Sequence, residues 1–315
     1  MNEFQIVLGA VLPVFGIAVA GLFIRKLNWL TEEADQSLLR VNINLLLPSL
    51  ILDSTLGNPA LRHVNNLWLP PLAGFATLAL GIGLGLAASQ LAGPLNHIEK
   101  RTFALSVGMH NYGYIPLPLS VLLFNKETTG VLFVHNVGVE TGLWTLGVML
   151  LTGGSFGRDW KKIINPPLLA ILVALLLNAL GPEKLLPATL RTAIHWLGQC
   201  AIPMALILIG AIVADYLHQF HSTNGWRIIG AAIFLRMLIL PVLFLAIAKI
   251  IPGSIELKRV LVLEAAMPSA VFPIIMARHY GGDPPMALRV VISTSAVGLV
   301  TIPLWIRFGM KFVGV

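Results

Sequence analysis

Apolar runs of about twenty residues follow one another along this chain with only short polar connections between them. A helix needs about 20 mostly apolar residues to cross the hydrocarbon core of a bilayer. Ten segments reach or approach that length: 4–24, 38–56, 67–90, 102–124, 131–151, 163–180, 199–217, 226–251, 260–280 and 286–308. With 57% apolar and 11% charged residues, against ~25% charged in soluble domains, a water-soluble globule is excluded. The 29 Gly and 20 Pro lie largely inside the apolar runs, where membrane helices tolerate them, so they do not signal disorder. The first run is long enough to span and lacks a basic leader, which reads as a span and not as a cleaved signal peptide. The net charge of +7 is spread over the connections. That suits loops at a membrane face better than a nucleic-acid surface. A lone Cys200 leaves no disulfide within the chain and no Cys-rich metal site.

The expected fold class is an all-α polytopic membrane protein of ten transmembrane helices. The connection 152–165, with Gly153-Gly154-Ser155 followed by Arg158, Lys161 and Lys162, separates a first five-helix repeat (1–151) from a second (166–315). An odd number of spans per half turns the second half upside down, giving two inverted repeats. Segment 187–198 reads as an amphipathic helix at the interface ahead of the seventh span. In the first half, eight Lys and Arg flank the connections after the first, third and fifth spans, against Arg62 and Lys126 on the other side. Positive charge stays in the cytoplasm, so loop 152–165 is expected inside and both termini outside a cell (inner) membrane. The second half carries the opposite bias, three against seven, and the early helices are given precedence.

Two spans hold the features that need explanation. The fourth and ninth, each fourth in its half, carry paired prolines: Tyr114-Ile115-Pro116-Leu117-Pro118 and Met267-Pro268-Ser269-Ala270-Val271-Phe272-Pro273. Proline in a helix interior removes a donor and clashes with the preceding turn, costing ~3 kcal/mol. Freed backbone survives at bilayer depth only inside protein or along a watery cavity. A plain kink explains one such span; two at corresponding positions predict non-helical backbone near 114–118 and 268–273 and a crossing of the two segments. There, half-helix N-termini offer positive charge to an anion and freed carbonyls offer oxygen to a cation.

Candidate substrate contacts are Asn111, Tyr112, Gly113, Pro116, Pro118, Pro268, Ser269 and, from the second span, Asn44. An Asn amide both donates and accepts, and Gly113 lets backbone approach closely; packing glue between helices is the plain alternative for each polar residue. Candidate ion-coupling residues are Glu264, Asn111, Glu140, Thr141 and His110. A carboxylate in the bilayer costs ~2.5 kcal/mol or more. Glu264, one turn before Pro268, is expected to bind Na⁺ or take up H⁺, the bland reading being a pair with Arg236. Glu140 is read the same way against a helix-packing contact. Asp53 and Asp215 lie near span ends, where interfacial water explains them. His218 and His221 are spaced as metal ligands, but a solvated loop explains them better, and no metal site is expected. The chain has no HExxH, P-loop or GxSxG motif, which argues against an enzyme and against a self-contained ATP-driven pump.

Four stretches resemble the auxin efflux carrier (PIN-like) family of the bile/arsenite/riboflavin transporter superfamily. They are Asn111–Pro118, Asn165-Pro166-Pro167-Leu168, Ile202-Pro203-Met204-Ala205-Leu206 leading to Gly210, and a last block. That block runs from Glu264 through Ala270 and Tyr280–Asp283 to Ser293-Thr294 and Thr301–Trp305. The resemblance implies crossed fourth and ninth helices, an elevator-like alternating-access motion and a homodimer. It makes the expected function secondary transport of a small organic anion, coupled to H⁺ or Na⁺ or driven by membrane potential. A ligand-gated channel or a non-transporting sensor is the alternative; polar groups clustered at mid-span, without a continuous polar stripe, favour the carrier. Where the family usually has Gly this chain has Pro116, and Phe272 stands where it often has Asn, which implies a more apolar pocket.

Overall fold

A computed structural model describes residues 3–154, 164–180, 186–217 and 225–315. Ser155, Arg158, Lys161, Lys162, His218 and His221, named above, lie outside the described residues. The described chain is helical apart from its connections and two breaks. In order, the helices are α1 (Glu3–Lys26), α2 (Glu32–Val41), α3 (Leu47–Thr55), α4 (Asn65–Ala87), α5 (His97–Gly108), α6 (Pro116–Leu123), α7 (Lys126–Gly142) and α8 (Val148–Thr152). They continue as α9 (Pro166–Leu180), α10 (Ala188–Leu217), α11 (Trp226–Phe234), α12 (Leu240–Ile250), α13 (Ile255–Ala266), α14 (Phe272–His279) and α15 (Pro284–Val313). Single π-helical turns at Asn42–Leu46, Leu143–Gly147 and Leu235–Ile239 join α2 to α3, α7 to α8 and α11 to α12.

Five helical runs are long and apolar enough to cross a membrane: Gln5–Lys26, Asn65–Ala87, Ala188–Asp215, Trp226–Ile250 and Pro284–Val313. The other expected segments are a short apolar helix (Pro166–Leu180), two π-joined runs and the two broken spans. Segment 187–198 is not a separate interfacial helix. From Ala188 it is the beginning of α10, because no breaker separates it from the apolar run and Gly198 lets α10 close onto Leu50, with backbone 2.9 Å from where a Cβ would sit.

The helices pack as two bodies. The smaller is a panel of α1, α2–α3, α9 and α10. Its closest approach is glycine against backbone: a Cβ on Gly21 would fall 2.1 Å from the Ile207 carbonyl oxygen, and one on Gly210 1.8 Å from that of Ala18. The larger holds α4, α5–α6, α7–α8, α11–α12, α13–α14 and α15. Here α4 takes the close contacts, Gly138 of α7 against Pro71 and Gly108 of α5 against Gly81 and Ile82. Small residues let membrane helices gain packing and dispersion energy that apolar burial cannot supply in lipid. The seam between the bodies joins α1 to α6 and α15, and α3 to α7. Each body draws on the same positions of the two halves of the chain, two helical segments per half for the panel and three per half for the core. Outward faces of the panel expose Leu12, Phe23, Leu172 and Leu176.

Candidate functional site

Each broken span starts from a strong cap. Asn96 Oδ1 accepts from the Ile98 and Glu99 N–H groups at 2.9 Å, and Glu99 Oε2 accepts from the Asn96 N–H at 2.8 Å. Ser254 Oγ accepts from the Leu257 N–H at 3.2 Å. These satisfy donors that a helix start leaves unpaired. From there α5 runs to Gly108 and α13 to Ala266, and the chain turns extended at Met109 and Met267.

The breaks therefore cover 109–115 and 267–271, displaced toward the N-terminus from the expected 114–118 and 268–273. Pro116 and Pro118 sit in the first turn of α6, and Pro273 in that of α14. The physical reason is that the first turn of a helix has no intrahelical use for its N–H groups, so proline opens a helix at no cost. The prolines thus start the second half-helices, and the extended backbone lies ahead of them.

The two breaks cross, and each satisfies the other. The Asn111 N–H donates to the Pro268 carbonyl at 2.8 Å and the Ala270 N–H to the Met109 carbonyl at 2.9 Å, an antiparallel bridge centred on His110 and Ser269. Freed groups that would cost several kcal/mol each in hydrocarbon are bonded within protein. Two carbonyls at and just beyond the end of α13 are met by a side chain. Arg236, fully buried in the π-turn between α11 and α12, donates from Nε to Met267 O at 2.8 Å and from Nη2 to Glu264 O at 3.1 Å. Its guanidinium also lies 5.2 Å from the centre of the Phe244 ring. Arg236 thus bonds Glu264 through the backbone and not, as the bland alternative had it, through the carboxylate. The Glu264 carboxyl is itself fully buried, with Oε2 3.2 Å from His110 Nε2 but off the line of a hydrogen bond.

On the other side of the crossing is a cavity of about 290 Å³ in the seam between the two bodies. The residues leading into α6 (Asn111–Tyr114) and into α14 (Ala270–Phe272) line it, so both half-helix N-termini face it. From α7 come Asn136 and, one turn on, Glu140; Trp144 follows in the π-turn. Asn42, Asn165 and the small residues Ala201 and Ala205 of α10 close the panel side. Asn165 Nδ2 donates to Glu140 Oε2 at 2.5 Å, and Asn136 Nδ2 donates to the Tyr112 carbonyl at 2.8 Å. Asn111 Oδ1 accepts from the Ile115 N–H at 3.3 Å, tying the loop before α6 to itself.

Of the expected substrate contacts, Asn111, Tyr112 and Gly113 line the cavity. Pro268 and Ser269 are buried in the crossing, where they build its backbone, and Pro116 and Pro118 are buried in the first turn of α6 beyond it. Asn44 is exposed and its amide donates to the Arg40 carbonyl of its own helix at 2.7 Å. The π-turn Asn42–Leu46 changes the helical phase by a residue, and it is Asn42, 2% exposed, that faces the cavity. Of the expected coupling residues, Glu140 opens onto the cavity, whereas Glu264 and His110 lie behind the crossing. Thr141 donates to the Val137 carbonyl at 2.7 Å along its own helix. Asp53 pairs with His195 at 3.0 Å, and Asp215 with Arg25, 3.1 Å from Nε, where interfacial water was expected to suffice. Asn136 was missed, although its spacing of four from Glu140 places both on one helical face. No group of three or more His, Cys, Asp or Glu suited to a metal occurs among the described residues.

The chain is similar to an uncharacterized transporter of Methanothermobacter thermautotrophicus, 26% identical over 309 residues, covering 94% of this chain and 96% of that protein. It is also similar to an uncharacterized transporter of Methanocaldococcus jannaschii, 24% identical over 308 residues, covering 96% of this chain and 98% of that one. The model of the membrane transport protein family matches residues 6–155 and 156–306. On a match over nearly its whole length, the chain belongs to the membrane transport protein family, the auxin efflux carrier (PIN-like) family of the bile/arsenite/riboflavin transporter superfamily.

Proposed function

We propose that this protein is a secondary carrier of a small organic anion of the carboxylate class, driven by a coupled H⁺ or Na⁺ or by the membrane potential. The observation that carries the reading is the cavity in the seam, onto which both half-helix N-termini open. A helix N-terminus holds roughly +0.5 of an elementary charge, and broken membrane helices use that end to hold anionic groups. Asn42, Asn111 and Asn136 supply amides, and Tyr112, Tyr114, Phe133, Trp144 and Phe272 supply an apolar wall. A ligand with one anionic end and an apolar or aromatic body fits that lining.

In this reading ten crossings form two inverted five-helix repeats, with both termini outside the cell membrane, and the protein works as a homodimer. The panel of α1, α2–α3, α9 and α10 stays in place while the larger body carries the crossing past it, the elevator-like form of alternating access. Support comes from the packing: each body is welded internally by glycine contacts, and the ligand cavity sits where they meet. Glu264 and Arg236 hold the crossing together from behind, and Glu140 faces the ligand. A thermal-shift screen of carboxylates on the purified protein, with and without Na⁺, tests the reading, because a ligand of the native state stabilises it by RT ln(1 + [L]/Kd). Aryl and alkyl monocarboxylates are expected to raise the melting temperature and to enter proteoliposomes; stabilisation by organic cations alone would overturn it.

A further inference from the structure

The cavity contains one formal charge, and it has the wrong sign for the proposed ligand. Glu140 lines it beside Asn111 and Asn136, and no Lys, Arg or His does so among the described residues. Arg236 does not line the cavity: it lies behind the crossing, where Nε and Nη2 donate to the Met267 and Glu264 carbonyls. What the fold does offer an anion is the pair of half-helix N-termini, roughly half a charge each, together with amide dipoles. Those two half charges balance one carboxylate. Glu140 already is one. An entering anion would leave an uncompensated negative charge in a largely apolar cavity, where like charges at short range exclude one another.

We propose that Glu140 carries the coupling proton, one proton binding to its carboxylate for each substrate anion bound in the cavity. The proton comes from the medium on the loading side and leaves to the medium on the releasing side, so a monovalent anion and its proton cross together without net charge. The inference rests on the reading of the cavity as an organic-anion site and names the ion that reading leaves open. Glu140 is placed for the exchange. It is half-buried and not sealed, and the Asn165 amide donates to one of its oxygens and thereby serves either protonation state. Asn42, buried with its Oδ1 unpartnered, faces the same cavity.

Other ionisable groups around Glu140 do not take this place. Tyr112 and Tyr114 share the cavity and are phenols. On α7 itself, His135 is fully buried, its Nδ1 3.4 Å from Asn136 Oδ1, and Lys126 and Glu127 lie in the first turn. Facing α7 from α13, Glu264 is behind the crossing with His110 and Arg236, while Glu256, Lys258 and Arg259 lie in its first turns. From α3, Asp53 pairs with His195 of α10, and Arg62 is exposed in the short helix Pro59–Arg62. Helices α4, α6 and α9 have no ionisable side chain.

The test is binding of naphthalene-2-sulfonate, an aryl monoanion that stays ionised across the working pH range, to the purified full chain, read by Trp fluorescence and calorimetry. Trp144 in the cavity wall provides the optical signal. In the wild type, affinity should rise about tenfold per unit fall in pH above the point where Glu140 titrates. Calorimetry in two buffers of different ionisation enthalpy should show one proton taken up per anion. Glu140→Gln keeps the acceptor for Asn165 and should bind as tightly as the protonated wild type at every pH, with no proton uptake. A flat pH profile in the wild type, or an unchanged slope in Glu140→Gln, would overturn the inference while leaving the anion site standing. Binding of 2-naphthylmethylammonium in place of the sulfonate, lost in Glu140→Gln, would overturn the anion reading itself and this inference with it. Because the wild-type profile is decisive alone, the test survives a variant that fails to fold.

Discussion

Replacing Gly138 by alanine adds a single methyl group at the tightest contact in the larger body. The new Cβ would lie 1.7 Å from the Pro71 carbonyl oxygen, where ordinary contact begins near 3.4 Å, so α4 and α7 must part by roughly 1.7 Å along that line. The same pair is pinned at Gly74, where a Cβ would meet the His135 carbonyl oxygen at 2.3 Å, so the helices cannot simply pivot. Overpacking of this kind costs ~1–3 kcal/mol, and gaps of 0.5–1 Å forfeit a quarter to a half of each dispersion contact along the seam. The clash sits at the upper end, ~3 kcal/mol, and the better helix propensity of Ala returns ~1 kcal/mol. The net loss, ~2 kcal/mol, corresponds to a melting temperature lower by about 5 °C on the soluble-domain scale. Two residues either side, Asn136 and Glu140 point the opposite way, into the cavity, so displacement of α7 narrows the site and weakens ligand binding as well. Gly83→Ala is the matched control: it is also helical, nothing lies within 4 Å of its Cβ, and it should be neutral or stabilising by up to ~1 kcal/mol. Thermal unfolding in detergent, followed by size-exclusion peak height, compares the two. If Gly138→Ala melts with Gly83→Ala and the wild type, α4 and α7 do not meet backbone to backbone and the packing argument fails.

Three further outcomes are expected. Asn42→Ala should weaken binding of a stabilising monocarboxylate about fivefold, the ~1 kcal/mol of one hydrogen bond, whereas Asn44→Ala leaves its Kd unchanged; a calorimetric titration showing the reverse would put the ligand on the other face of α2–α3. Glu264→Gln should leave that Kd within threefold while lowering the melting temperature, and Arg236→Met, which leaves two buried carbonyls without their donor, should cost more, ~1–3 kcal/mol for each; a Glu264→Gln protein that folds as the wild type but loses pH- or Na⁺-dependent uptake would return the coupling role to Glu264. A cysteine at position 155 in a Cys200→Ser background should react with a membrane-impermeant maleimide only after cells are permeabilised; labelling of intact cells would invert the proposed orientation.

The sequence alone determined the solvent of this protein and the whereabouts of its irregular backbone. Apolar runs of spanning length leave no soluble alternative, and paired prolines at matching places mark two breaks, because a missing N–H is a local property that no packing can restore. Glu264 and Glu140 were both legible as costly, since an apolar run makes any acid conspicuous. Sequence did not separate their roles. It could not, because Arg236 reaches the carbonyls near Glu264 from 28 residues away, and Asn165 reaches Glu140 from 25. Tertiary structure alone decided which side of the crossing each carboxyl occupies. It also decided details that depend on helical phase. Asn42 and Asn44, two residues apart, lie on opposite faces of their helix, and it is packing that turns Asn42 and not Asn44 to the cavity. The extended backbone lies ahead of Pro116, Pro118 and Pro273, with Pro268 alone inside it, for the reason that proline is cheapest where a helix begins. Where helices touch at glycine, the approach of two backbones is a property of the pair, and neither sequence contains it alone.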